Sequence, residues 1–258
     1  SREAHALMLG LAGLAGVIVI HVMATRVSVD HPRVVQRITQ ALTDPLRRAL
    51  FGHGVSAQRY AREDISPYFR VNGRPPADAG YAAMAAGSFA RYSLAVDGLV
   101  ERPLRLTLDE LRKWPKHSQI TEHCCIQGWS AVAEWGGVSV ADVMHECRPL
   151  PEARYLVLYA FDDKSTSEPH PAGSGCYYGT IDIAVASHPQ TILAYEMNGQ
   201  PLPIPHGAPL RLRVETQLGF AMVKYVRRIE LVHDYRHIGA GQGGWREDHQ
   251  YYSQEAGI

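Results

Sequence analysis

Residues 120–144 read ITEHCCIQGWSAVAEWGGVSVADVM, and this stretch decides the fold. An apolar strand leads to the adjacent residues Cys124 and Cys125, a segment rich in glycine and tryptophan follows, and a capped helix is predicted at the end. A thiol where a strand meets a loop, close to His123 and to the Trp129 indole, suits a thiolate ligand of a soft metal. The alternative is that each cysteine is a small, buried and chemically inert side chain.

Outward from this stretch, predicted strands alternate with short helices. The segment YSLAVDGLV at residues 92–100 predicts two strands joined by a turn at Asp97-Gly98. Residues 153–161 form a nearly continuous apolar strand, and residues 191–203 predict a hairpin with an Asn-Gly turn. The mixture predicts one α+β domain with mixed β-sheets.

Composition excludes several other classes of protein. The 258 residues include 26 Lys and Arg against 26 Asp and Glu, and this neutral balance argues against a nucleic-acid partner held through phosphate contacts. The four cysteines form no C-x-x-C pair, so the sequence has neither the common zinc-finger pattern nor a c-type haem attachment motif.

An apolar segment near the start of the sequence predicts a membrane anchor. From Ala6 to Ala24 no residue carries a formal charge, and a helix of roughly 20 apolar residues spans a bilayer core. A signal peptide and a buried core helix are the competing interpretations. Arg26, Arg33 and Arg37 follow the segment, so the positive-inside rule favours a cytoplasmic soluble domain. We expect a single-pass membrane protein.

The predicted organisation has three parts: residues 1–26 as the transmembrane anchor, residues 27–64 as an amphipathic helix and linker, and residues 65–258 as the α+β domain. The helix shows apolar residues at helical spacing and is predicted to be interrupted at Pro45. It either lies in the lipid headgroup layer or packs on the soluble domain, and the sequence leaves both open.

Three segments resemble the sulfite oxidase family, especially the bacterial branch that includes methionine-sulfoxide reductase catalytic subunits. CIQGWSAVAEWGGVSVADVM, from Cys125, resembles the family's molybdenum-ligating segment. LAYEMNGQPLPIPHGAPLRLRVETQLGFAMVKYVRRIEL, at Leu193–Leu231, is similar to its pterin-binding region, and ISPYFRVNG, at residues 65–73, resembles the arm that closes over the cofactor. The resemblance implies a sulfite-oxidase-type domain that binds a molybdenum-molybdopterin cofactor.

The same resemblance assigns roles to individual residues. Cys125 matches the thiolate ligand of the metal. Cofactor contacts fall on the arm and on the pterin-binding segment, at Phe69, Arg70, His206, Arg211, Val223 and Lys224. The candidate catalytic residues are the metal ligand itself and three residues expected on the substrate side, namely Cys125, Trp129, Tyr178 and Asp162.

The chain also departs from the family pattern. Animal and plant sulfite oxidases carry arginines after the ligand cysteine, whereas Ile126-Gln127-Gly128-Trp129 stands here, so sulfite is not the expected substrate. Close bacterial relatives commonly have an acidic residue in place of Gln127, another residue in place of Cys124 and a polar cofactor contact in place of Ala160. These changes either retune the pocket or mark a domain that has lost its cofactor.

Two functional hypotheses follow. The first is a membrane-anchored molybdopterin-dependent oxidoreductase that transfers an oxygen atom to or from a small substrate and exchanges electrons with a redox partner such as a cytochrome. The second is a non-catalytic subunit of a respiratory or photosynthetic membrane complex, which keeps the fold, contacts integral membrane proteins and lacks the cofactor. The resemblance to exported relatives favours a periplasmic domain, whereas the absence of a twin-arginine pair before the apolar run favours the cytoplasm.

Overall fold

A computed structural model describes residues 16–19, 21–26, 28–51, 56–163 and 175–249. The chain divides into two compact units, Ser1–Gly52 and His53–Ile258. Residues 56–64, predicted as the end of a linker, are attached to the second unit: the Tyr60 N–H donates to the Ile120 carbonyl at 3.0 Å, and Arg62 pairs with Glu134 at 2.8 Å.

The first unit contains helix α1, Pro32–Phe51. The predicted interruption at Pro45 is wrong, because the helix continues through the proline, whose nitrogen cannot donate a hydrogen bond. Among the helices of the described residues, none combines the length and apolar character needed to cross a membrane. Most of the predicted span, residues 6–24, lies outside the described residues.

The first sheet of the second unit has five strands in the order β2-β1-β10-β5-β6. Their bounds are β1 Ser93–Gly98, β2 Leu104–Thr107, β5 Tyr155–Asp163, β6 Cys176–Asp182 and β10 Val226–Val232. The predicted turn at Asp97-Gly98 is wrong. Both residues belong to β1, which pairs in parallel with β10, and the chain reverses only in the following loop to reach the antiparallel strand β2.

The second sheet contains the cysteine stretch. Its strands are β3 His117–Cys125, β4 Trp129–Ser139, β7 Thr191–Met197, β8 Gln200–Pro201 and β9 Arg211–Val214. They pair in the order β3-β4-β7-β8, and β9 also pairs with β7. The predicted hairpin is confirmed, since Asn198 and Gly199 join β7 to β8 with φ angles of 52° and 73°, as a type I′ turn requires. Together, the two sheets confirm the α+β domain with mixed sheets.

Short helices connect the strands. The α-helices are α2 Ala79–Ala86, α3 Leu108–Leu111, α4 Val140–Cys147, α5 Ile183–Ala186 and α6 Trp245–His249, and 3-10 turns lie at Arg62–Asp64, Ile204–His206 and Gly219–Ala221. As the sequence predicts, α4 is capped by Ser139, whose side chain accepts from the Ala141 N–H at 3.1 Å. This cap ends β4 and turns the chain out of the sheet.

Strand β3 brings the site residues to its inner face. Because side chains alternate along a strand, Thr121, His123 and Cys125 are buried, while Glu122 and Cys124 are more exposed. All four cysteines of the chain are free thiols. Cys125 ends the strand, so its thiol lies where the sheet opens into the turn before Trp129.

Candidate active site

A cavity of about 320 Å³ opens beside the end of β3. Its walls come from the arm at residues 65–73, the turn after Cys125, the segment between residues 205 and 224, and helix α6. Most of the residues predicted from the sequence line it. They are Phe69, Arg70, Cys125, Trp129, Asp162, His206, Arg211 and Lys224.

Two predicted residues lie elsewhere. Tyr178 was expected to face the substrate, but its hydroxyl donates to the Asp248 carboxylate and lies 3.2 Å from the Ile238 carbonyl oxygen, away from the lining. Side chains alternate along β6, and the preceding residue, Tyr177, lines the cavity instead. Val223 is fully buried, its N–H donates to the Ala221 carbonyl, and its own carbonyl accepts from Leu212.

The Cys125 thiol is held by a residue that the sequence did not single out. Cys125 is 8% exposed, and Asn72 Nδ2 donates to its Sγ at 2.8 Å. The carbonyl of Asn72 accepts from Lys224 Nζ at 2.7 Å, and Lys224 also donates to the Pro205 carbonyl at 3.0 Å. One arm residue therefore links the thiol to a lysine of the opposite wall. Asn72 belongs to ISPYFRVNG, the segment that resembles the family's arm, and this position could have identified it from the sequence.

Phe69 fixes the arm by aromatic contacts. Its ring centroid lies 5.3 Å from that of His123, 5.7 Å from Trp129, 5.6 Å from Trp135 and 5.4 Å from His206. Edge-to-face pairs at these distances each add modestly to the free energy gained by burying the ring. The arm is thus anchored both by an apolar ring and by the polar contacts of Asn72.

The cavity is strongly cationic. Arg70, Arg211, Lys224 and Arg246 line it, and Asp162 is the one acidic side chain among the described lining residues. Arg211 is 4% exposed, and burial, followed by the charge of Arg213, lowers its pKa to about 9. A positive cavity of this kind attracts an anionic ligand.

The two histidines of the cavity are neutral. Burial first, then the charges of Arg213 and Arg211, lower the pKa of His123 to about 2. Burial, with Arg211 and Lys224, lowers the pKa of His206 to about 4. At physiological pH both rings therefore act as hydrogen-bonding groups without charge.

The donor set fits a molybdopterin. Arg211 Nε and Trp129 Nε1 are buried donors with no hydrogen-bond partner among the described residues, so they suit a ligand that brings acceptor atoms. In the described part of the chain, no three His, Cys, Asp or Glu side chains converge as a metal site. Cys125, which the family resemblance assigns as the metal ligand, would bind a metal whose other ligands belong to a cofactor. A pyranopterin supplies a dithiolene for the metal and a phosphate for the cations.

Arg246 was also missed from the sequence. It lies on the short helix α6, beyond the segments that carry the family resemblance, and it lines the cavity together with Tyr177. A hydrogen bond between these two side chains is among the influences that lower the pKa of Tyr177, although burial raises that pKa overall. The contact places helix α6 beside β6 at the wall of the cavity.

Comparisons with known proteins agree with this site. The sequence model of the oxidoreductase molybdopterin binding domain matches residues 82–237. A protein of Azospira oryzae, provisionally named a protein-methionine-sulfoxide reductase subunit, is 35% identical over 162 residues, which are 63% of this chain and 55% of that protein. The protein-methionine-sulfoxide reductase catalytic subunit of Xanthomonas campestris pv. campestris is 32% identical over 182 residues, covering 66% and 54% of the two chains.

The crystal structure of the sulfane dehydrogenase SoxCD from Paracoccus pantotrophus matches 60% of this chain and 45% of its own chain, with a TM-score of 0.48 and 23% identity. The chain spans about half the length of the curated relatives that it matches. The family match covers more than half of the chain and includes Cys125, His206, Arg211 and Lys224. The chain therefore belongs to the oxidoreductase molybdopterin binding domain family, as its resemblance to the sulfite oxidase family predicts.

Proposed function

We propose that this chain is a molybdopterin-dependent oxidoreductase that removes the oxygen atom from a small sulfoxide such as methionine sulfoxide. The observation that carries the proposal is the buried thiol of Cys125 at a cavity lined by four cationic side chains. The names of the relatives from Azospira oryzae and Xanthomonas campestris supply the substrate class. Membrane attachment, considered below, is part of the same proposal.

The bound cofactor would supply a metal that accepts an oxygen atom and stores electrons. Cys125 would hold that metal through Sγ, and the hydrogen bond from Asn72 Nδ2 fixes the position of the sulfur. Arg211 and Lys224 would hold the pterin phosphate, since charge-assisted hydrogen bonds to phosphate are among the strongest polar contacts in proteins. Phe69 lines the same cavity, and its ring centroid lies 5.6 Å from that of Trp135.

On the substrate side, Trp129 and Tyr177 form the walls with Asp162 and Arg246. The Trp129 ring offers an apolar surface to the carbon chains of a sulfoxide, and its Nε1–H can donate to the sulfoxide oxygen. Gln127 also lines the cavity, and its uncharged amide can donate a hydrogen bond to the oxygen of a neutral sulfoxide.

A membrane location and a separate redox partner complete the proposal. Val34, Ile38 and Leu42 are spaced four residues apart on α1, and their side chains are 48%, 56% and 74% exposed. This apolar stripe, together with the uncharged segment at residues 6–24, supports attachment to the inner membrane of a bacterium. Electrons would come from a partner such as a cytochrome. A topology reporter fused after Ile258 tests whether the domain is cytoplasmic, as the arginines after the apolar segment favour.

Metal analysis of the purified protein tests the function. The protein is made in a host that synthesises molybdopterin, its molybdenum content is measured, and methionine sulfoxide reduction is followed with a reduced viologen dye. We expect molybdenum and turnover in the wild type, loss of both in Cys125→Ser, and retention of both in the matched control Cys124→Ser.

The outcomes separate the parts of the proposal. A wild-type protein without molybdenum would contradict it and would favour the non-catalytic subunit. A protein that contains molybdenum but reduces no sulfoxide would retain the cofactor assignment and overturn the substrate class.

A further inference from the structure

A buried polar network lies behind the cavity. The side chains of Arg213 and Glu215 are both fully buried and pair at 2.5 Å, with a second bond of 2.9 Å from Arg213 Nε to Glu215 Oε1. Gln119 Nε2 donates to the same carboxylate at 2.8 Å and to the Gln190 carbonyl at 3.0 Å. Two bonds to one carboxylate fix the plane of the guanidinium group.

The network determines which nitrogen of His123 carries the proton. Arg213 Nη1 lies 3.0 Å from His123 Nδ1. A guanidinium group has five N–H donors and no acceptor, so Nδ1 must accept this hydrogen bond. The neutral imidazole therefore carries its hydrogen on Nε2, and the buried ion pair holds it in that tautomer.

Packing fixes the orientation of the same ring. His123 is 5% exposed, and its ring centroid lies 5.3 Å from that of Phe69 and 5.5 Å from that of Trp129. The backbone of Gly219 approaches the ring edge so closely that a Cβ there would overlap Cε1 and Nε2. His123 lines the cavity, and among the described residues no hydrogen bond involves its Nε2.

We propose that His123 donates its Nε2–H to an acceptor oxygen or sulfur atom of the ligand in this cavity, and that Arg213, Glu215 and Gln119 act through it as positioning residues. The acceptor belongs either to the cofactor or to the sulfoxide, and to that extent the inference rests on the proposed function. A fixed neutral donor stabilises negative charge on its acceptor without a rearrangement of the protein.

The tautomer is the first test, and it requires no activity. Two-bond ¹H–¹⁵N correlation spectra of the full chain, with ¹⁵N-labelled histidine, identify the His123 signals by comparison with His123→Gln. We expect the Nε2–H tautomer in the wild type and a mixture of tautomers in the double variant Arg213→Met with Glu215→Leu. The double variant is used because removing Arg213 alone would leave a buried, unpaired carboxylate. A wild-type ring with its proton on Nδ1 overturns the proposal.

Variants at residue 123 identify the acceptor. His123→Phe removes the donor, His123→Gln keeps an N–H group, and Thr121→Val is the control on the same face of β3. If the cofactor accepts the bond, His123→Phe lowers the molybdenum content and the glutamine variant partly restores it. If the sulfoxide accepts the bond, the molybdenum content is unchanged and KM rises about tenfold, which corresponds to the free energy of one hydrogen bond. Unchanged content and kinetics in His123→Phe overturn the proposal.

A wild type without molybdenum would refute the proposed function and leave the inference to be decided by ligand binding. Sulfate then serves as the acceptor probe, and its binding is followed by tryptophan fluorescence, since Trp129 lies beside His123. Weaker sulfate binding by His123→Phe than by Thr121→Val supports the inference, whereas equal binding overturns it.

Discussion

Arg211 and Arg213 both pack against the ring of Trp135, but their guanidinium groups have different hydrogen-bond partners. The guanidinium carbons of Arg211 and Arg213 lie 4.7 and 4.2 Å from the centroid of the Trp135 ring. Arg213 is neutralised by Glu215, whereas Arg211 donates to the His206 carbonyl at 2.9 Å and has a buried Nε without a hydrogen-bond partner in the described structure. Arg213 therefore stabilises the fold, and Arg211 is available to a ligand.

This difference predicts opposite effects of two substitutions. Arg211→Met should abolish molybdenum retention and leave the cofactor-free protein as stable as the wild type or more stable, because it removes a buried charge that lacks a carboxylate partner. Arg213→Met should destabilise the same protein by about 4 kcal/mol, because Glu215 would remain buried and unpaired. Thermal and urea unfolding of cofactor-free protein measure both effects. Equal losses of stability in the two variants would contradict the different roles of Arg211 and Arg213.

The buried carboxyl group of Glu247 makes the free energy of unfolding depend on pH. Burial, the largest influence, raises its pKa to about 7, and the charge of Asp248 adds to the effect. Since the folded-state pKa is above the ordinary value of 4.5, the contribution of this group is complete below that value and is lost as the pH rises through 7. Glu247→Gln should therefore stabilise the protein by up to about 3 kcal/mol at pH 8 and hardly at pH 4.

Urea unfolding at the two pH values checks this prediction. Glu101→Gln is the matched control, because the Glu101 side chain is 59% exposed and its change should have little effect at either pH. A gain in Glu247→Gln that is equal at pH 4 and pH 8 would refute the buried-carboxyl explanation.

At the scale of the element, local patterns were predictable and long-range pairings were not. The Ser139 cap of α4 and the Asn198-Gly199 turn form as expected, because each depends on neighbouring residues only. The turn predicted at Asp97-Gly98 fails because β1 extends to pair with β10, whose residues are more than 130 positions away. Tertiary pairing overrides a local turn preference in such cases.

The same distinction explains the candidate site. Cys125, Arg211 and Lys224 were predicted because each belongs to a contiguous motif. Asn72 was missed because its contact with Cys125 spans 53 positions. Tyr178 was placed on the substrate side although Tyr177 lines the cavity, since a sequence motif does not define which face of β6 is inward.

The contact between β4 and β7 gives a prediction at this scale. The register shifts between Gly136 and Gly137, and a Cβ on Gly137 would overlap the Leu193 carbonyl and the Ala194 backbone. Gly137→Ala should therefore destabilise the protein by about 2 kcal/mol. Gly136→Ala should cost less, because its Cβ would approach the flexible Glu196 side chain, with Oε2 at 2.9 Å. Urea unfolding compares the two, and an equal loss would contradict the proposed backbone collision.

For the whole molecule, the division into two units defines which residues the site requires. The second unit begins at His53 and contains the buried core together with the cavity. Removal of residues 1–55 should therefore leave the melting temperature and molybdenum content of the domain unchanged. Removal of residues 1–73 should abolish molybdenum retention, because Phe69 and Asn72 are lost with the arm. Metal analysis and thermal unfolding of the two truncated proteins test this, and equal molybdenum contents would contradict it.

The arm also implies an order of assembly. Asn72 bonds with its amide to Cys125 and with its carbonyl to Lys224, so these polar contacts add to the packing of Phe69 in holding the arm against the cavity. If the chain binds the proposed cofactor, a group of that size would enter most readily before these contacts of the arm form, so loading would be an early event in maturation. Its later release would require local unfolding of the arm, and exchange with free cofactor would then be slow.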